Sequence, residues 1–220
     1  MRLTVIRTAI AVAGLICLVV AVPAVSLHAA ATSRGAGLGA EDRHQIERLE
    51  RYLNGLGTLQ SRFLQVSSNG GVAEGDFYLW RPGRLRIDYD PPVPVLIIAN
   101  NGLLVYFDRE LEQVSHVPIN STPAGILTRN NLSFDDPELT ITGFEHDDRM
   151  LRITIVQSED PLEGSVTLVF SDDPIRLLKW SVVDAQGVTT EVTLLDTRFD
   201  VPLNPELFVF RNPRFYRDDF

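Results

Sequence analysis

Apolar residues recur along this chain in two rhythms. Between residues 41 and 56 they stand at Ile46, Leu49, Leu53 and Leu56, with charges filling the other faces. Steps of three and four make a helical stripe. Glu41 and Asp42 occupy the first turn, where the helix dipole favours anions. Asn54-Gly55 and Gly57 supply the stop. An amphipathic helix therefore opens the domain, and its apolar face must cover something.

Beyond Gly57 the rhythm shortens to two. The stretch 84–90 alternates strictly, with Leu85, Ile87 and Tyr89 on one face and Arg84, Arg86, Asp88 and Asp90 on the other. That pattern predicts a half-buried strand. Strand-like runs cover 59–67, 72–81, 84–90, 95–99, 103–108, 113–117, 139–146, 150–157, 165–171, 175–183 and 189–198. Ser68-Asn69-Gly70-Gly71 and Asn100-Asn101-Gly102 are hairpin signals. Asp147-Asp148, Ser171-Asp172-Asp173-Pro174 and Asp184-Ala185-Gln186-Gly187 mark later turns. Ten or eleven strands joined by short turns predict an antiparallel meander.

One segment breaks the series. In 118–137, Ser121 or Thr122 is placed to cap a helix and Pro123 to occupy its first position. A short helix is expected over 123–129, bearing Ile126 and Leu127 and followed by Leu132 and Phe134. Two readings stand: an apolar flap between the halves of the sheet, or a connection that plugs the core.

The N-terminus has its own layout. Arg2 and Arg7 precede an uncharged apolar run over 8–22, Pro23 ends the run, and Ala29-Ala30-Ala31 offers a cleavage site. This is the pattern of a secretory signal peptide over 1–31, the alternative being an uncleaved membrane anchor. Ile16 before Cys17 argues against lipidation there. Residues 32–40 read as a flexible mature N-terminus, 41–213 as a single domain and 214–220 as a tail.

Charge narrows the partners. Twenty basic and 29 acidic side chains give a net charge of −9, deepening to −11 once Arg2 and Arg7 are removed. Nucleic acid is not the expected partner, because its phosphates need clustered cations. Lys179 is the only lysine and the other cations are Arg; Arg keeps its charge when buried and holds a flat fork of donors, which suits latches. One Cys excludes a disulfide framework and a multi-cysteine zinc site.

Catalytic chemistry is scarce. His28, His44, His116 and His146 lie far apart, and no nucleophile elbow, phosphate loop or dinucleotide fingerprint is present. Asp135, Asp136, Glu138, Asp172 and Asp173 sit in turns, where Asp bonds its own backbone; a spatial carboxylate pair of the glycosidase type stays open. Asn131-Leu132-Ser133 matches a glycosylation sequon. No catalytic residue, metal or cofactor is expected. Apolar surface is abundant instead: 18 Phe, Tyr and Trp residues all follow residue 31. A half-open sheet with a helical cover leaves an apolar groove.

Several blocks resemble the LolA family of periplasmic lipoprotein carriers, over about residues 45–213. They are Leu59-Gln60-Ser61-Arg62-Phe63-Leu64-Gln65; Glu74-Gly75-Asp76-Phe77-Tyr78-Leu79-Trp80-Arg81-Pro82-Gly83-Arg84-Leu85-Arg86; Asn100-Asn101-Gly102 before Val105-Tyr106-Phe107-Asp108; and the closing Phe208-Val209-Phe210. The resemblance implies a mainly β fold, an unclosed antiparallel barrel of about eleven strands under a helical lid. It implies that Arg81, before Pro82, bonds the lid backbone as a latch. Leu85 matches a cavity position that is often aromatic in the family. Phe77, Leu79, Leu85, Ile87, Tyr89, Ile98, Leu104 and Tyr106 are the candidates for an acyl-chain cavity, plain core packing being the other reading of each. Pro123, Ile126, Leu127 and Leu132 are the candidate lid residues. The implied role is a monomeric, non-enzymatic periplasmic chaperone. It would take acylated lipoproteins from an inner-membrane releasing transporter to an outer-membrane receptor. A carrier of another lipid or glycolipid is the alternative.

Overall fold

In the computed structural model, residues 38–214 are described. The expected signal peptide at 1–31, most of the 32–40 segment and most of the 214–220 tail lie outside them. The opening stripe forms α1 over Ala40–Gly55, which buries Ile46, Leu49 and Leu53. Asp42 accepts the Gly39 N–H at 2.9 Å, closing the helix start.

The period-two segments form β1 (Thr58–Ser67), β2 (Val72–Trp80), β3 (Arg84–Tyr89), β4 (Val95–Asn100), β5 (Leu103–Asp108) and β6 (Gln113–Pro118). After the intervening segment come β7 (Leu139–His146), β8 (Met150–Gln157), β9 (Gly164–Ser171), β10 (Arg176–Asp184) and β11 (Thr189–Phe199). They make one antiparallel sheet in the order β6-β5-β4-β3-β2-β1-β11-β10-β9-β8-β7. All neighbours are hairpin partners except β1 and β11, which bring the two ends of the domain together in the middle of the sheet. β6 and β7 are its edges and do not pair, so the barrel is unclosed. Register shifts at Gln60/Arg62, Ile141/Gly143 and Leu177/Lys179 are bulges, which sharpen local twist and bend.

Between β6 and β7 runs the covering segment: a 3₁₀ turn over Ile119–Ser121, then α2 over Ala124–Thr128. The capping expectation needs correction here. Pro123 is itself the N-cap, and neither Ser121 nor Thr122 bonds the helix start. Their hydroxyls donate backwards instead, to the carbonyls of Pro118 and Ile119, because each lies three residues after an acceptor at the start of the 3₁₀ turn. Gly125 is required at this join: a Cβ there would lie 2.8 Å from the Ile119 carbonyl oxygen.

The main core lies between α1, α2 and one face of the sheet. It takes Leu59 and Phe63 from β1, Phe77 and Leu79 from β2, Leu151, Ile153 and Ile155 from β8, and Leu168 and Phe170 from β9. Full burial of such side chains is worth about 1.5–3 kcal/mol each. A second apolar layer sits on the opposite face. There the segment after β11 crosses β2–β5, with Trp80 and Phe208 ring centroids 6.0 Å apart and Phe107 and Phe210 5.4 Å apart. Arg86 and Asn100 fasten it by donating to the carbonyls of Leu207 and Phe208, each at 3.1 Å.

Candidate functional site

β2 stops at Trp80, and the next side chain, Arg81, turns beneath α2. It is 8% exposed. Its guanidinium donates to the carbonyl oxygens of Leu127 at 2.5 Å and Arg129 at 2.6 Å, with a longer bond to Asn54 Oδ1 at 3.3 Å. These carbonyls belong to the end of α2, where a helix leaves acceptors without partners. The Gly83 N–H takes the carbonyl between them, that of Thr128, at 2.8 Å. Among the described residues no carboxylate pairs with Arg81. Burial accordingly pulls its pKa down to about 10. The cation is held by neutral carbonyls alone.

Two α1 residues that the sequence did not single out as lid contacts complete the fastening. Asn54 grips Leu132 at both backbone atoms, donating to its carbonyl and accepting its N–H, each at 2.8 Å. Glu50 accepts the Phe134 N–H at 2.5 Å. Farther along, Arg129 pairs with Asp136 at 2.8 Å and Glu138 at 2.7 Å. Asn54 reads in sequence as a helix stop, and no local pattern links it to a residue 78 positions away.

The larger hollow, about 550 Å³, lies between the 118–129 segment and strands β7–β10. Ile126, Leu139, Ile155, Val156, Val166 and Val182 contribute its apolar wall, and its mouth carries Glu138, Glu159, Asp160, Glu163 and Asp184. A smaller one of about 390 Å³ lies against β1–β5, lined by Gln65, Tyr89, Ile97 and Tyr106 among others. There Tyr89 donates its hydroxyl to Gln65 Oε1 at 2.7 Å, and burial pushes its pKa up to about 12. Both volumes are in the range of small-molecule sites, roughly 300–1,000 Å³.

The expected cavity residues divide. Pro123 and Ile126 line the larger hollow, and Tyr89 and Tyr106 the smaller. Phe77, Leu79, Leu85, Leu104, Leu127 and Leu132 are buried in the packed core, with Ile87 half-buried against it, and line neither hollow. The physical reason is central: Phe77 on β2 and Trp180 on β10 meet at 5.1 Å across the two strands between them, filling the middle of the face. Ile98 belongs to the other side of the sheet. It pairs with Arg86 and Val105, so it shares a face with Arg86 and Asn100 under the C-terminal segment. Among the described residues no three His, Cys, Asp or Glu side chains group to hold a metal ion, and Asp172 is tied to Arg48 at 2.9 Å.

Residues 54–211 match the family model of the outer membrane lipoprotein carrier protein LolA. An outer-membrane lipoprotein carrier protein of Methylococcus capsulatus is 30% identical over 176 residues, covering 76% of this chain and 83% of the relative. One from Pseudomonas aeruginosa is 27% identical over 198 residues, covering 86% and 94%. A solved LolA superfamily protein from Nitrosomonas europaea superposes with a TM-score of 0.46 at 11% identity, covering 77% of this chain and 96% of that one. With the family model spanning most of its length and a relative at 30% identity, the chain belongs to the LolA family of outer membrane lipoprotein carriers.

Proposed function

We propose that this protein is a periplasmic carrier that takes the acyl chains of lipoproteins beneath its lid and passes them from an inner-membrane releasing transporter to an outer-membrane receptor. It acts as a monomer and uses no cofactor or catalysis. The observation that carries this reading is Arg81: a buried cation with no acidic partner among the described residues, bonded to the backbone of an apolar segment beside an apolar-walled hollow. Each acyl methylene removed from water is worth about 0.8 kcal/mol, so a free lipoprotein anchor cannot cross an aqueous space without cover. Cover that holds too tightly would block delivery. A lid whose closed state has bonds of its own answers both needs. Cargo must displace Leu127 and Ile126 from the core, and reclosure on Arg81 favours its departure. Ile126, Leu127 and Leu132 are then the side chains that give way to acyl chains, and Pro123 marks the start of the moving segment.

Native mass spectrometry of the protein purified from its own periplasm tests this. The expected result is a population carrying acylated polypeptide. A population carrying only free lipid or glycolipid would replace the cargo assignment, and a uniformly bare protein that also takes up no acylated peptide would overturn the carrier reading.

A further inference from the structure

The mouth of the larger hollow has a charge pattern that the acyl-carrier reading does not require. Glu159, Asp160 and Glu163 stand together in the β8–β9 turn, all exposed, and none has an ion-pair partner among the described residues. Glu138, just before β7, and Asp184, at the end of β10, line the same hollow. The single cation of the lining is Arg129, whose two terminal nitrogens are already bonded to Asp136 and Glu138. Five carboxylates thus face one committed guanidinium around an apolar wall of Ile126, Ile155, Val156, Val166 and Val182. Leu162, in the same turn, is 86% exposed.

We infer that this acidic mouth sets the ligand class of the hollow: it admits chains whose polar end is neutral or cationic and turns away lipids with an anionic headgroup. A chain buried in the wall must leave its headgroup at the opening, because only there is water available to it. An anionic group in that position lies among carboxylates beside a low-dielectric surface, which focuses their field. A cationic group in the same place is attracted. A lipoprotein carrier works between membranes rich in free phospholipid, and anionic lipids would otherwise compete for the same wall. The selectivity rests on the hollow being the acyl site proposed above. It adds a determinant for which the apolar wall alone has no preference.

Three hexadecyl amphiphiles, each below its micelle concentration, separate the two ideas: a maltoside, a trimethylammonium and a sulfate. Their affinities are measured by displacement of a neutral fluorescent acyl probe, at low and high salt. The parent protein should bind the ammonium at least about tenfold more tightly than the sulfate at low salt, with the ratio collapsing toward unity at high salt. Glu159→Gln/Asp160→Asn/Glu163→Gln should lose most of that ratio and keep maltoside affinity. These three side chains are exposed, and among the described residues they make no hydrogen bond or ion pair; the bond between Glu163 N–H and the Asp160 carbonyl is backbone to backbone, so the variant should fold as the parent does. Maltoside binding with equal affinity for ammonium and sulfate, or a triple variant with the parental ratio, overturns the selectivity and leaves the carrier reading standing. Absence of maltoside binding overturns both.

Discussion

Replacing Arg81 with Leu removes the latch while keeping an apolar side chain under α2. In the closed state the carbonyls of Leu127 and Arg129 then lose their donor, and in the open state water supplies one. Each charge-assisted bond is worth about 1.5–3 kcal/mol. Burial of the guanidinium takes back part of that, as its lowered pKa of about 10 records. A net closed-state stabilisation of about 2 kcal/mol remains, which corresponds to roughly 30-fold. Since cargo occupies the open form, Arg81→Leu should load normally, hold a neutral fluorescent acyl probe more tightly, and release it to acceptor vesicles about 30-fold more slowly in stopped flow. Arg81→Lys keeps a point charge but not the fork, and should fall between the two. If Arg81→Leu released the probe at the parental rate, with the fold intact by circular dichroism, the latch would have no part in release.

Other expectations follow from single contacts. Asn54→Ala removes both bonds to the Leu132 backbone, at about 1 kcal/mol each, and should speed hydrogen exchange at the Leu132 amide by tenfold or more; unchanged protection there would exclude Asn54 as a lid anchor. Gly75→Ala places a Cβ 2.2 Å from the Asp88 carbonyl oxygen and 2.7 Å from the Phe63 ring, so strands β2 and β3 must separate; urea melts should show a loss of about 1–3 kcal/mol, and an unchanged midpoint would contradict the register. Burial pushes the Asp88 carboxyl up, but hydrogen bonds from Arg86 and Arg109 outweigh it and hold the pKa below the usual range. A carboxyl depressed on folding contributes stability above its unfolded pKa and loses it as pH falls through the folded value. Urea stability should therefore decline below about pH 4, and Asp88→Asn should lower it at neutral pH while flattening that acid slope; an unaltered slope would remove Asp88 from the account.

Much of the sheet was legible because its signals are local. Arg84-Leu85-Arg86-Ile87 alternates so strictly that only a half-buried strand fits, and Asn101 and Gly102 adopt the positive φ of 51° and 79° that their hairpin demands. Alternation failed where polarity did not alternate. In Val95-Leu96-Ile97-Ile98-Ala99 every position is apolar, since the main core covers one face and the Phe208 segment the other. Nothing in that run assigns Ile98 to the outer side. The lid's position was visible in the break of rhythm after Pro118, but its fastening was not. Arg81 was singled out only through the family resemblance, whereas Asn54 and Glu50 carry capping and surface identities that say nothing of partners some eighty residues on. The acidic mouth is likewise assembled from three separate turns. Residues 138, 159–163 and 184 meet only because β7, β8, β9 and β10 are sheet neighbours.

The central claim is that the space beneath the lid receives acyl chains. Methyl-resolved NMR of the full chain during titration with a triacylated lipopeptide, against the same peptide without its acyl groups, reads this directly. The account predicts saturable shifts at the methyls of Ile126, Val156, Val166 and Val182 with the acylated peptide only. Shifts confined to Ile98 and Val209 on the outer face, or equal responses to both peptides, would contradict it.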